Sequence, residues 1–314
     1  MKKILFYRLL ELLPVLLGIT FLTFGLMYLA GGDAVTQLYD NRGPVAAEII
    51  NLKRAQLGLD RPFWSQYLDW LLRLLQGDLG NSYVTGQPVA LMLGSRLPAT
   101  LFLAVGSVCL TLLLSLPLGI AAAVYNHRPL DFAIRILSLI GNGLPNFLIA
   151  LILLQLLAVE LKLLPALATG YSLKSAVLPM LTLTLAMSPK YIRQVRALVL
   201  EELYKDYVWG ARARGIKETA ILWRSVLKTC LVPLLTLVVL SLGSLLGGAA
   251  IVETIFMWDG VGRLAVDAIM VRDYPVVQAY VLWMALIYVF LNFITDLLYP
   301  CLDPRLRLEA KNDK

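Results

Sequence analysis

Six long stretches of the chain contain no Asp, Glu, Lys or Arg, and this feature limits the possible folds more than any other. The apolar core of a bilayer, about 30 Å thick, is crossed by about 20 helical residues. Water is absent there, so each backbone polar group must find its partner inside the segment, and the period-2 alternation of a barrel strand is missing. We therefore expect six transmembrane helices at 12–32, 97–127, 136–159, 175–189, 229–252 and 274–295.

The composition also indicates an all-α membrane protein. Of the 314 residues, 59% are hydrophobic and 16% are charged, whereas a soluble domain is about 45–50% apolar and about 25% charged. This excess of apolar residues excludes a soluble domain, a disordered chain and a nucleic-acid-binding protein. The expected surroundings of the chain are a lipid bilayer. The fourth stretch has only 15 residues, so its helix must continue to about Leu198, with Lys190 and Arg193 reaching back to the interface.

The basic residues indicate which ends of the helices face the cytoplasm. Eighteen of the 28 Lys and Arg residues lie on one side if the amino terminus is cytoplasmic, and cytoplasmic loops carry the excess of these residues. Both termini are then cytoplasmic. The chain divides into an N-terminal segment with the first helix (1–32), an external loop with interfacial helices (33–96), a five-helix core (97–300) with a basic cytoplasmic loop (190–228), and a cytoplasmic tail (301–314).

The external loop predicts two short helices that lie against the membrane. Pro44 and Gly58 suit the ends of the first helix, and Pro62 and Gly77 suit the ends of the second. The second helix is amphipathic and rich in Phe, Trp and Tyr, which favour the membrane interface. Two interpretations stay open: an interfacial brace that only packs on the bundle, and a platform or lid at the external mouth.

A second external loop, 253–273, is rich in Gly and aromatic residues. Gly260 and Gly262 allow tight turns. No strand precedes these glycines and the spacing of a dinucleotide-binding motif is incomplete, so that kind of site is excluded. We expect a re-entrant turn over the bundle.

The sequence offers no catalytic or metal-binding constellation. Cys109, Cys230 and Cys301 are not paired at short spacing and His127 is the single histidine, so neither a disulfide framework nor a zinc motif is expected. The phosphate loop of ATPases and the signatures of metalloproteases and serine hydrolases are also missing. We therefore expect no enzyme activity, no metal and no cofactor in this chain.

The basic loop 190–228 carries most of the functional signal, with nine basic and four acidic residues. Small residues at its centre would let another backbone come close. Two arginines stand near the end of a predicted short helix, where the helix dipole favours cations, and a glycine suits the left-handed position that ends it. From the residues alone, two interpretations stay open: a helix that docks into a groove of a cytoplasmic protein, and a positive loop that only sets topology. The candidate docking residues are Tyr207, Gly210, Ala211, Arg212, Ala213, Arg214 and Gly215.

The run Ala211-Arg-Ala-Arg-Gly215, followed eighteen residues later by Pro233, resembles the cytoplasmic "EAA" loop of permeases of ATP-binding-cassette (ABC) importers. The resemblance is closest to the nickel/dipeptide/oligopeptide branch, and within it to the nickel permease type. The chain departs from the family at Trp258-Asp259-Gly260, which is usually Trp-Pro-Gly, and at Ser225 and Lys228-Thr229, which are usually His and Arg-Asn. Further similar segments cover nearly the whole chain, at 32–33, 57–62, 77–80, 97–101, 144–147, 253–256, 260–263, 272–278 and 303–305.

The resemblance implies a type I importer permease in a bacterial cytoplasmic (inner) membrane. Such a permease pairs with a second homologous permease and receives its substrate from an extracytoplasmic binding protein. Two cytoplasmic ABC ATPases bind ATP and Mg²⁺, and each receives one coupling helix from a permease. The implied coupling helix is 207–215, where the small residues would give a close fit and the two arginines would give polar anchors.

The substrate expected from this resemblance is nickel, free or chelated, ahead of di- and oligopeptides. The loop 160–174 is short, and the segment 80–88 is more similar to the metal and opine side of the branch. The alternative from a different class is a secondary transporter driven by an ion gradient. It would place paired ionisable residues at mid-membrane, whereas Glu11, Glu160 and Asp296 lie near the ends of the predicted helices.

Overall fold

The structure, a computed structural model, describes residues 2–32, 34–36, 47–168, 170 and 172–302. In these ranges the chain is helical, and the only bridge between extended residues that we observe there joins Asn81 and Pro88. The helices begin with α1 (Lys2–Leu29), α2 (Ala47–Gln56), α3 (Phe63–Leu75), α4 (Val89–Val124), α5 (Pro129–Gly143) and α6 (Asn146–Leu153). They continue with α7 (Leu173–Leu203), α8 (Asp206–Ala213), α9 (Glu218–Ile221), α10 (Leu227–Gly248), α11 (Ala250–Ile255), α12 (Val261–Met270) and α13 (Tyr274–Leu302).

Three helical segments of the described chain are long and apolar enough to cross a bilayer: α4, Glu218–Leu246 and Tyr274–Thr295. A shorter apolar stretch, Pro14–Leu29, lies in α1. α7 continues well beyond its predicted stretch, as its short apolar length required, and ends at Leu203. The predicted all-α membrane architecture is confirmed.

The third predicted span, 136–159, is wrong as one continuous helix. Together α5 and α6 are long and apolar enough to cross a membrane, but they are bent by 100° relative to each other. Between them Leu144 is extended (φ −86°, ψ 125°), and α6 starts directly after Pro145. Proline disfavours the α conformation of the residue before it, so Pro145 breaks the helix instead of only kinking it.

Two short π-helical segments interrupt the regular helices. Leu154–Glu160 continues α6, and Leu222–Val226 connects α9 to α10. A π-helical turn holds an additional residue relative to an α-helical turn. These segments therefore change the angular position of the residues that follow them.

Some sequence-based expectations concern residues outside the described ranges. They are Asp33 after the first helix, Pro44 at the start of the first external helix, and the tail from residue 303 onward. The division of the chain by side of the membrane stays a prediction.

The described helices form two compact units. The first contains the chain up to Thr100 together with Asp259–Val289, and the second contains Leu101–Trp258 and the chain from Phe290. α4 and α13 contribute to both units.

In the first unit, α3 packs along α1 through aromatic side chains. Tyr67 is buried, and its hydroxyl lies 3.3 Å from that of Thr20. The ring centres of Phe21 and Phe24 on α1 lie 5.3 to 5.8 Å from the ring centres of Phe63 and Tyr67 on α3. This packing is what an interfacial brace requires, and the role of platform or lid stays a prediction.

A buried carboxylate in the first unit joins the segment before α4 to the corner between α12 and α13. Asp273 accepts hydrogen bonds from Ser82 Oγ at 2.5 Å and from the backbone N–H of Tyr83 at 2.9 Å. Ser82 Oγ in turn accepts a hydrogen bond from the N–H of Thr85 at 2.9 Å. Burial and the charge of Asp273 raise the pKa of Tyr83. These contacts hold the segment before α4 against the corner between α12 and α13.

In the second unit, α4 and α7 approach each other closely. A Cβ atom added to Gly119 of α4 would lie 2.7 Å from Cβ of Val195 on α7, so no larger residue fits there without movement. Ser115 Oγ donates to the carbonyl of Ser188 at 3.3 Å. Small residues and hydroxyl groups are the usual means of joining helices in an apolar environment, since lipid provides no hydrophobic drive between them.

Polar contacts join α7 to two further helices. Tyr191 donates its hydroxyl to the carbonyl of Leu237 on α10 at 3.1 Å. Arg196 forms two hydrogen bonds to Asp131 of α5, at 2.6 and 2.9 Å, and a third to Asn126 at 2.8 Å. α7 is thus the helix through which α4, α5 and α10 are connected.

We expect Asp131→Ala to lower the free energy of unfolding by about 1.5–3 kcal/mol, because Arg196 loses its two hydrogen bonds to the carboxylate and keeps only the bond to Asn126. Asp131 is 1% exposed, and the side chain of Arg196 is 17% exposed. Asp69→Ala is the matched control, since it removes a solvent-exposed ion pair with Arg61 and should cost less than about 1 kcal/mol. Urea unfolding in mixed micelles, followed by tryptophan fluorescence, measures both. Equal losses would contradict the prediction.

Candidate functional site

α8 is a separate short helix in the basic loop, placed directly after α7. α7 ends at Leu203, and Lys205 is extended (φ −74°, ψ 150°) before α8 starts at Asp206. An acidic residue in the first turn and Arg212 in the last turn suit the dipole of the helix. The short helix predicted at 207–215 is present and ends at Ala213.

Gly215 ends α8 in a left-handed turn with φ 75°. Its N–H donates to the carbonyl of Arg212 at 2.9 Å, and the N–H of Ile216 donates to the carbonyl of Ala211 at 3.2 Å. This pair of bonds forms a Schellman motif, which favours glycine because a Cβ atom would be strained there. Among the described residues, no atom lies within 4 Å of the Cβ position. The backbone conformation, and not lack of space, therefore requires glycine.

The inner face of α8 packs against its own chain. Val208 is fully buried and Ala211 nearly so, in an apolar cluster that joins α8 to α7 and α10. Ala211 therefore faces the core of this chain, whereas Ala213 and Gly215 are exposed. The other members of the cluster are Ala123, Val195, Val199, Ile221, Val226, Cys230 and Leu234.

Large side chains are exposed along the rest of the loop. Trp209 is 56% exposed and Trp223 is 67% exposed, and Tyr204, Tyr207 and Ile216 are exposed as well. Single exposed apolar residues are normal on a protein surface, but concentrated ones mark interaction sites. Five such residues lie within twenty positions of the basic loop.

The two predicted anchoring arginines have different surroundings. Arg212 donates to both carboxylate oxygens of Glu218, at 2.6 and 3.2 Å, and its guanidinium carbon lies 5.2 Å from the centre of the Trp209 ring. The hydrogen bond to Glu218 raises the pKa of Arg212. Arg214 is exposed, and its Nε donates to the carbonyl of Gly210 at 3.3 Å. Arg212 thus joins α8 to α9 within the chain, while Arg214 lies at the surface.

Glu202 also belongs to this site, although the sequence does not distinguish it from the other three acidic residues of the loop. It is 7% exposed and accepts hydrogen bonds from the ammonium group of Lys205 and, at 2.8 Å, from the hydroxyl of Tyr207. Desolvation and the Glu202 carboxylate raise the pKa of Tyr207 to about 12, so its hydroxyl stays protonated and donates. Glu202 and Lys205 are three positions apart, a spacing that predicts an ion pair on a helix. The spacing does not reveal that Glu202 is buried.

Comparison with known families covers almost the whole chain. Residues 115–308 match the family described as the inner membrane component of binding-protein-dependent transport systems, and residues 1–104 match the N-terminal family of these components. The glutathione transport system permease protein GsiC of Salmonella choleraesuis (strain SC-B67) is 38% identical over 301 residues, which are 96% of this chain and 97% of that protein. GsiC of Escherichia coli (strain K12) is 36% identical with the same coverage.

A solved structure supports the fold. A chain of the MetNI methionine ABC transporter, in an inward-facing conformation, matches with a TM-score of 0.57 and 16% identity over 68% of this chain and 96% of that chain. The likeness confirms the predicted type I importer permease fold. The relatives named above are glutathione permeases, and they give no specific support to the nickel type. The chain belongs to the family of binding-protein-dependent transport system inner membrane components, the membrane permeases of ABC importers.

Proposed function

We propose that this chain is one permease subunit of an ATP-driven importer that carries small peptides, such as glutathione, across the inner membrane of a bacterium. The proposal is supported by 36–38% identity, over 96% of the chain, to permeases named for glutathione transport. Nickel, the substrate preferred from the sequence, has no such support, and the peptide alternative replaces it.

The proposed importer contains further subunits. The family description supports an extracytoplasmic binding protein that delivers the substrate. We assign as partners a second homologous permease and two cytoplasmic ABC ATPases, which bind ATP with Mg²⁺ and hydrolyse it. In this assignment the present chain forms part of the pathway and contributes no catalytic residue.

The observation that carries the proposed coupling role is the two-sided construction of α8. Val208 and Ala211 hold its inner face to the bundle, whereas Tyr207, Trp209 and Arg214 are exposed. A groove on a partner ATPase can receive the exposed side, while the buried side connects it to α7 and α10. When the ATPases close on ATP, α8 moves with them and α7 passes the movement to the membrane helices.

Uptake into vesicles tests the substrate and the energy source together. The complete importer, reconstituted with its binding protein, is expected to accumulate labelled glutathione when ATP is supplied on the side of the ATPases. The same vesicles with a non-hydrolysable ATP analogue serve as the control and should accumulate none. Accumulation of nickel in place of peptide would contradict the proposed substrate, and accumulation driven by a proton gradient without ATP would contradict the class of transporter.

Gly215→Leu is expected to lower uptake at least about tenfold while the protein still inserts into the membrane. An L-residue in the left-handed conformation costs about 1–2 kcal/mol, and the new side chain stands on the proposed docking surface. The uptake of labelled glutathione and the amount of the variant protein in the membrane are measured in parallel.

Gly77→Leu is the matched control for this substitution. Gly77 has φ 79° and ends α3 with the same pair of bonds, from its N–H to Leu74 at 2.9 Å and from the N–H of Asp78 to Arg73 at 3.0 Å. The substitution Gly77→Leu therefore imposes the same backbone strain at a position away from α8. Equal losses in the two variants would assign the effect to strain, and wild-type uptake by an inserted Gly215→Leu protein would contradict the coupling role.

A further inference from the structure

Glu202 occupies a position that is unfavourable for a carboxylate in two respects. It lies in the last turn of α7, where the helix dipole repels negative charge. It is also 7% exposed, and a buried charge is costly unless it is paired and hydrogen-bonded. The structure tolerates Glu202 only because specific donors are brought to it.

Both donors lie on the other side of the corner between α7 and α8. Lys205 is the residue that precedes α8, and Tyr207 is the second residue of α8. The Lys205 ammonium and the Tyr207 hydroxyl approach different oxygens of the same carboxylate. Glu202 therefore closes the corner at Tyr204 with two hydrogen bonds to a charged acceptor, which are stronger than bonds between neutral groups.

The helix on which Glu202 lies has the connections needed to spread a displacement. α7 contacts α5 through Arg196, α10 through Tyr191 and α4 through Ser188. The apolar contacts of Val208 resist separation of α8 from the bundle, but such contacts are non-directional. A hydrogen-bonded carboxylate fixes the angle between the two helices as well as their separation.

We propose that Glu202 is a positioning residue that makes the corner between α7 and α8 rigid, so that movement of α8 by a partner ATPase passes into α7. This inference rests on the proposed docking of α8. Without the carboxylate, the corner bends and absorbs the movement, and the nucleotide cycle is uncoupled from the membrane helices.

The chain offers matched controls for this role. Glu201 is the neighbouring residue of the same type, but its side chain is 70% exposed and lies 3.9 Å from the Lys205 ammonium. Tyr207→Phe is a milder change than Glu202→Gln, because it removes one donor and keeps the carboxylate with Lys205. Arg214→Glu alters the proposed docking surface without touching the corner.

Hydrogen–deuterium exchange of the complete importer in vesicles tests the proposal without depending on the substrate. Peptides from α7 and from α8 are compared with and without vanadate-trapped nucleotide. In the wild-type importer and in Glu201→Gln, trapping should change exchange in both helices. In Glu202→Gln the response of α8 should remain, while that of α7 should fall at least about fivefold, the factor that corresponds to the net worth of one hydrogen bond. In Tyr207→Phe the exchange response of α7 should fall by a smaller factor than in Glu202→Gln.

Other results would overturn the proposal in distinguishable ways. A full α7 response in Glu202→Gln, with the α8 response abolished by Arg214→Glu, would reject the role of Glu202 and leave the docking of α8 intact. Failure of Glu202→Gln to assemble, together with a full α7 response in Tyr207→Phe, would make Glu202 a structural residue only. Absence of any α8 response in the wild-type importer would reject the coupling role of α8 itself.

Discussion

α7 has to carry several hydroxyls and two prolines through an apolar bundle, and the second unit is built around this requirement. Pro179 and Pro189 each remove a backbone donor from the helix. Thr182 and Ser188 direct their hydroxyls to carbonyls one turn earlier, at 2.9 and 2.7 Å. The guanidinium of Arg196 is neutralised by a carboxylate of α5. In an apolar environment such internal pairing of the hydroxyls is a condition for folding, and together with the contact of Arg196 with Asp131 it makes α7 the connecting helix of the unit.

Features that depend on local chemistry could be predicted from the sequence. The apolar stretches, the short helix in the basic loop and its glycine terminator follow from hydropathy, spacing and the conformational freedom of glycine. The break at Pro145 shows the limit of this reasoning, because Pro117 lies inside α4 without ending it. The difference lies in the preceding residues: Gly141 and Gly143 weaken the end of α5 just before Pro145, whereas the residues just before Pro117 are mostly leucine, a good helix former.

Features that depend on tertiary contacts could not be predicted. Ala211 and Ala213 are identical in type and two positions apart, yet one is buried and the other exposed, because only one faces the cluster between α7 and α10. The pair of Asp131 and Arg196 joins residues 65 positions apart. The substrate could not be predicted either, because selectivity depends on side chains brought together by the tertiary fold, and short sequence segments do not reveal them.

The π-helical segment Leu222–Val226 has a consequence for how this loop can vary. One residue corresponds to about 100° of rotation along a helix, so the segment sets which side of α10 is turned inward. Cys230 and Leu234 face the apolar cluster in the present register. Between the end of α8 and the start of α10, the number of residues is therefore constrained as well as the residue types at Gly215, Ile221 and Val226. A single deletion within the π-helical segment would rotate α10 by about 100° and turn Cys230 and Leu234 away from the apolar cluster, so the length of this segment sets the inward side of α10.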